Sequence, residues 1–186
     1  MRKIWDLFKD SLKEFKTIRC ITLTAMFGAI SIVIGSLRVQ VTAFLRVSFS
    51  FLPNQFVYYL FGPAVGGLYG AAMDILTFIV KPSGAFHPGI TFDAFLTGII
   101  YGLFYYKRHI SFKRVLIANI VQMIIVNIFL TTYWLTDLTG TGFFSLLPPR
   151  AIKSLIMLPI ETILFYSTVK TVEATGIIKL LSGKRM

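Results

Sequence analysis

Three stretches decide the fold: Leu45-Arg46-Val47-Ser48-Phe49-Ser50-Phe51-Leu52-Pro53-Asn54, then Phe61-Gly62-Pro63, then Pro82-Ser83-Gly84-Ala85-Phe86-His87-Pro88-Gly89. Each interrupts an apolar, helix-length segment with residues that a lipid-facing helix does not carry. Pro and Gly free backbone groups, and Arg, Asn and His bring polarity that hydrocarbon does not solvate. Such residues persist at membrane depth only where protein or a water-filled cavity receives them. The region 46–89 therefore reads as half of a small-molecule pocket opening to the outside of a membrane.

Composition sets the frame for that reading. The chain has 186 residues, 55% of them apolar, and a mean hydropathy of +0.74. The apolar residues fall in long blocks, the signature of membrane spans rather than of a large soluble core. The net charge is +11, but its placement argues against nucleic acid. Fourteen of the 19 Lys and Arg fall in residues 1–19, 107–114 and 170–186, which share one side of the bilayer if there are six spans. Arg38, Arg46, Lys81, Arg150 and Lys153 fall on the other. This asymmetry places both termini in the cytoplasm. Cys20 is the only cysteine, so no intrachain disulfide or cysteine metal cluster forms. The apolar run from Ile21 lacks a small-residue cleavage site and is expected to remain as an anchor.

In order, residues 1–16 read as an amphipathic helix on the inner leaflet, with Ile4, Trp5, Leu7, Phe8, Leu12 and Phe15 at roughly helical spacing. An all-α bundle of six spans occupies 17–170 and a basic tail 171–186, all one membrane domain. The spans are expected at 18–37, 49–61, 64–80, 91–106, 115–135 and 151–169. The second is too short for an ordinary crossing and holds Pro53-Asn54-Gln55; interrupted helices of this kind often mark a transporter's ligand site. Gly62-Pro63 forms a tight inner turn, and Gly66, Gly67 and Gly70 favour close helix packing after it. Asn119, Gln122 and Asn127 share one helical face. Ala25-Met26-Phe27-Gly28-Ala29 is a small-x-x-x-small pattern, suited either to packing within the chain or to another helix. Residues 136–147 read as an outer loop ending in Pro148-Pro149-Arg150.

On this topology the polar residues concentrate in the outer half: Arg38, Arg46, Asn54, Asp74, His87, Asp93, Asn127, Arg150 and Lys153, amid Phe49, Phe86, Tyr133 and Trp134. A few placed polar groups within aromatic walls are the usual make-up of a small-ligand site. Arg38, Arg46, Arg150 and Lys153 set against Asp74 and Asp93 favour a ligand with anionic groups. Alternatives stand beside each residue. Arg38 is read as snorkelling to headgroups. Asp74 serves either the ligand or a structural bridge, and His87 either the ligand or the capping of a turn. Glu161 reads as an internal or partner-facing residue, and Asn119 and Gln122 as ties between helices. No H-E-x-x-H, Gly-x-Ser-x-Gly or P-loop motif is present, so catalysis and ATP hydrolysis by this chain are unsupported.

These residues resemble a known family. Leu37-Arg38-Val39-Gln40, Leu45 to Phe49, Phe61-Gly62-Pro63 with Gly66, Gly70 and Asp74, and Pro82-x-Gly84-x-Phe86-His87-Pro88-Gly89 together resemble substrate-binding S components of energy-coupling factor (ECF) vitamin transporters, the folate-specific members most. The resemblance covers most of the chain and is sharpest over 37–106. It implies a six-helix S-component fold, capture of folate at the outer face, no cofactor, and assembly with a transmembrane T subunit and two cytoplasmic ATPases that hydrolyse ATP. It further implies that Ala25 and Ala29 dock the T subunit. Asp93 stands where a small polar residue is expected from the family, and Val57-Tyr58-Tyr59 is bulkier than expected. For folate, the pterin edge would pair with Asp74 or Asn54, stacked by Phe49, Phe86 or Trp134 with His87 adding a hydrogen bond. The glutamate carboxylates would meet Arg46, Arg150 or Lys153 near the mouth, and Asn127 is counted among the ligand contacts. The competing readings are an S component for another vitamin or precursor, a small integral-membrane enzyme acting on lipids, and a purely structural subunit that binds no small molecule. The pocket expectation is of one vestibule holding Asp74, His87 and Arg150 together.

Overall fold

A computed structural model describes residues 4–36, 49–82 and 85–175, and the backbone of 39–40 and 46–47. Helix α1 (Ile4–Phe15) is followed at once by α2 (Ile18–Ser36). Thr17 caps α2: its hydroxyl oxygen accepts from the Cys20 amide at 3.2 Å, satisfying one of the donors that a helix start leaves open. Val39–Gln40 pairs antiparallel with Arg46–Val47, a short ribbon (β1, β2) that the all-helical expectation lacked. Arg46 is a ribbon residue whose side chain lies outside the described residues, as do Arg38 and the tail from 176.

Helix α3 (Phe51–Val80) is two arms rather than one rod. Gly62 takes φ 85° and ψ −169°, a region essentially closed to side-chain-bearing residues, and Pro63 starts the second arm. The fold-back is visible in a hydrogen bond. The Tyr69 hydroxyl donates to Asn54 Oδ1 at 2.9 Å, whereas fifteen residues of straight helix would hold them about 22 Å apart. Residues 51–61 and 63–80 are therefore antiparallel, with the turn at the expected place. Ser11 of α1 secures that turn. Its fully buried hydroxyl donates to Phe61 O at 2.6 Å and accepts from the Ala64 and Val65 amides at 3.1 Å. Helix α1 is thus pinned to the bundle through Ser11 and a Lys107–Asp10 ion pair of 2.8 Å. Ile4, Trp5, Leu12 and Phe15 remain exposed.

Helix α4 (Pro88–Tyr105) runs antiparallel to the second arm of α3 along a seam of small residues. A Cβ on Gly66 would lie 2.8 Å from Gly98 O, and one on Gly102 would lie 2.5 Å from Pro63. Gly70 meets Ala94 O in the same way. The backbones touch because nothing stands between them, the contact that drives helix association in lipid.

The last elements form two long helices. The first comprises α5 (Phe112–Gln122), a π-helical stretch (Met123–Leu130) and α6 (Thr131–Thr139), closed by Gly140 in the left-handed conformation. The second, α7 (Phe143–Ala174), begins eight residues before the expected span and contains Pro148, Pro149 and Pro159. The expected outer loop 136–147 is therefore mostly helix. Among the described residues four helices are long and apolar enough to cross a membrane: Ile18–Ser36, Phe51–Val80, Phe112–Thr139 and Phe143–Ala174.

The buried core occupies one end of this bundle. Phe56, Tyr58, Phe61, Tyr105, Ile110, Val115 and Phe165 pack together near the Gly62 turn and the 106–111 connection. Tyr105 stacks on Phe165 with ring centroids 5.0 Å apart, and Tyr58 on Tyr101 at 5.9 Å. The bulky Val57-Tyr58-Tyr59 run supplies this core: Val57 and Tyr58 are buried, and the Tyr59 hydroxyl reaches Glu173 at 3.5 Å. The opposite end holds the polar residues.

Candidate functional site

The polar end is organised by Asp93, which is only 4% exposed. It accepts from the Thr131 hydroxyl at 2.7 Å and from Trp134 Nε1 at 3.1 Å. A carboxylate so placed needs such donors, since burial without them costs several kcal/mol. The Trp134 ring packs against Gly89, where a Cβ would overlap it, and against the His87 ring, with centroids 5.3 Å apart and planes tilted by 37°. His87 caps α4: its Nδ1 accepts from the Gly89 amide at 3.0 Å, and Pro88 supplies the preset φ of the first turn. Its Nε2 faces Asp137 at 3.3 Å.

Where the sequence led to the expectation of one vestibule, the described residues around the Asp93–Thr131–Trp134 cluster line two cavities: Thr131 lines one, and Trp134 packs on His87, which lines the other. The cavity beside His87, of about 240 Å³, is lined by Asp74, Thr77, Phe78, Lys81, Phe86 and His87. Asp74 accepts from the Thr91 hydroxyl there at 2.8 Å, and Phe86 packs edge-on against Phe78 at 5.3 Å. Asn54 lines a recess of about 60 Å³ that shares Thr77 and Lys81 with this cavity. Phe49 is exposed just before α3. The cavity beside Thr131, of about 480 Å³, lies between α5–α6 and α7, lined by Asn119, Gln122, Asn127, Arg150, Lys153 and Glu161 among others. The described residues thus keep Asp74 and His87 together and Arg150, Lys153 and Asn127 together, with Trp134 packed on His87.

The π-helical stretch shapes the larger cavity. In that geometry residues five apart come into register. The Asn127 amide donates to Gln122 Oε1 at 3.3 Å, and the Thr131 hydroxyl bonds Val126 O at 3.0 Å. The Asn127 carbonyl is left to accept from the Thr132 hydroxyl and from Arg150, each at 3.4 Å. Asn119 ties helices as expected: it accepts from the Tyr101 hydroxyl at 2.9 Å and donates to the Thr162 hydroxyl at 2.8 Å.

Asp137, Thr91 and Thr131 were not singled out by the sequence. Thr131 and Thr91 sit beside residues that were, but a threonine near a helix end carries no signal of its own. Asp93 was marked as polar and outer, and only its partners, 38 and 41 residues away, reveal it as the hub.

On the far side of the bundle an apolar groove of about 630 Å³ separates α2 from the second arm of α3. Ala25 and Ala29 are exposed along it, and Gly28 is buried between them against Met73 and Tyr69.

Comparison with known proteins fits this architecture. Residues 19–169 match the family described as ECF transporter, substrate-specific component. The Folate transporter FolT of Clostridium novyi is 39% identical over 132 residues, 71% of this chain and 77% of that one. The Folate transporter FolT of Leuconostoc mesenteroides is 34% identical over 170 residues, 88% of each chain. A crystal structure of FolT bound with folic acid superposes with a TM-score of 0.73 at 34% identity, covering 81% of this chain and 92% of that one. The match spans every described element from α2 through most of α7, and so this chain belongs to the substrate-specific components of ECF transporters, with folate transporters among its relatives.

Proposed function

We propose that the chain is the folate-binding S component of an ECF importer. It takes up the vitamin at the extracellular side and delivers it through a T subunit and two ATPases. One observation carries the reading: 34% identity across 81% of the chain to a protein whose crystal structure holds folic acid. The cavities support it, because aromatic and amide walls that also carry cations suit a flat heterocycle joined to carboxylates. In this reading the two arms of α3 and helix α4 complete six crossings, both termini are cytoplasmic, and the membrane is a bacterial plasma membrane. The exposed apolar face of α1 lies on the inner leaflet. The chain needs no cofactor and catalyses nothing itself; the partner ATPases supply the energy.

Ala25 and Ala29 are the proposed seat of the T subunit. Small side chains along an apolar groove let a second helix approach closely. Arg46, Phe49, Asn54, Asp74, Phe86, His87, Asn127, Trp134, Arg150 and Lys153 remain the proposed ligand-contacting set. Folic acid titration of detergent-purified protein, with mass spectrometry of any small molecule that co-purifies, tests the reading. Saturable binding with folate as the co-purifying species is expected. A different vitamin in that spectrum would keep the family and change the cargo. Unchanged affinity in both Asp74→Ala and Arg150→Ala would remove the assigned roles.

A further inference from the structure

Helix α7 presents Arg150, Lys153, Ser154, Met157 and Glu161 to the 480 Å³ cavity, a spacing of three and four residues that keeps them on one face. Cations stand at one end of this row and a lone carboxylate at the other. Eleven residues of helix separate Arg150 from Glu161, a rise of about 16 Å. Between them the wall is Met157 and Leu158, faced by Met123. Among the described residues Glu161 makes no hydrogen bond and no ion pair. Lys153 is eight residues away, about 12 Å of rise. By contrast the carboxylates of the smaller cavity and the Asp93 cluster are engaged: Asp74 with Thr91, Asp93 with Thr131 and Trp134. An unengaged carboxylate at membrane depth is costly unless something supplies donors.

We propose that this cavity is the seat of an elongated ligand, oriented by its two ends. The anionic end meets Arg150 and Lys153, and a heterocyclic edge carrying two parallel N–H donors meets Glu161. A neutral pterin has such an edge: its 2-amino group and the adjacent ring N3–H point the same way and match the two oxygens of one carboxylate. The pterin then lies deepest, against Met123 and Met157, with the amides of Asn119 and Gln122 beside it and the glutamate at the mouth. This inference rests on the folate reading above and assigns the pterin to Glu161 in place of Asp74 or Asn54.

The test uses the full chain purified in detergent, two ligands and three proteins. The ligands are folic acid and its 2-desamino analogue; the proteins are the unsubstituted chain, Glu161→Gln and Met157→Trp. Glu161→Gln keeps the shape and removes one acceptor charge, so folic acid binding weakens by about 10- to 100-fold. The desamino analogue keeps only one of the two donors, the ring N3–H, and its affinity falls several-fold less than that of folic acid on the same substitution, the coupling expected of a direct pair. Met157→Trp fills the cavity and weakens both ligands by more than about 10-fold while the protein still elutes as a single species. Folic acid affinity unchanged in Glu161→Gln, or an equal loss for both ligands in that variant, overturns the assignment and leaves the folate reading standing. Absence of folic acid binding to the unsubstituted chain overturns both.

Discussion

Asp93 ties α4 to α6 at the polar end, because it receives two donors from another helix while almost fully buried. Thr131 has a second acceptor in Val126 O, but Trp134 has only Asp93 among the described residues. Asp93→Ala therefore strands the indole N–H and removes a helix-to-helix tie. A loss of about 1–3 kcal/mol is expected, read as a lowered melting temperature in detergent; Asp93→Asn, which still offers an acceptor, falls less. Equal melting of Asp93→Ala and the parent would remove Asp93 from its role as hub. Gly62 is the second such position. Its φ of 85° suits only glycine, and a Cβ there would stand 2.8 Å from the Tyr106 ring. Gly62→Ala should destabilise by about 1–3 kcal/mol, with Pro63→Ala much milder. Thermal unfolding of the two variants compared side by side checks this ordering.

Between elements, the α3–α4 seam is the contact with least slack. Gly66 and Gly98 oppose each other backbone to backbone, so Gly98→Val pushes a branched side chain into Gly66 O. Overpacking of this kind costs about 1–3 kcal/mol, and here no flexible side chain can yield. The variant is expected to give poor recovery of folded protein, whereas Gly142→Ala, with only Ser145 Oγ near at 3.9 Å, leaves recovery unchanged. Normal recovery of Gly98→Val would contradict the seam. Gly66, Gly67 and Gly70, the Gly62 turn and the small residues of 25–29 were legible in the sequence because each is a local statement about backbone freedom or side-chain size; Gly98 and Gly102, the other half of the seam, were not. The start of α7 was not. Pro148 and Pro149 read as loop, yet they sit at the sixth and seventh positions of a helix, where each removes an amide donor and crowds the carbonyl four residues back. Nor was the π-helical stretch legible, since Met123-Ile124-Ile125-Val126-Asn127 has nothing to distinguish it from ordinary apolar helix. The polar residues of the site were legible as a set, but their division between two cavities was not. Nor were the donors that reach Asp93 across 38 and 41 residues of chain.

At the scale of the molecule the bundle is asymmetric: aromatic packing closes one end, and cavities with charged walls occupy the other. A protein that holds a ligand at one end and a partner along its flank needs the two surfaces to be separable, and here they are. Ala25 and Ala29 face the apolar groove between α2 and α3, whereas neither cavity of the polar end includes a residue of α2. Among the described residues α2 meets that end at the 60 Å³ recess beside Asn54 and Ser31. Bulk placed at Ala29 fills the groove without touching the ligand walls, so Ala29→Trp is expected to leave folic acid affinity within about 2-fold while blocking close approach of a partner helix, as bulk at small-residue contacts does. The measurement is made twice. Folic acid titration on the isolated chain reads the site, and co-purification with a T subunit and its ATPases, together with folate uptake by cells carrying them, reads the flank. Uptake should fall to background with binding intact. Loss of binding in Ala29→Trp would show that groove and cavities are coupled through the α3 hairpin, by way of Tyr69, which lines the groove and donates its hydroxyl hydrogen bond to Asn54.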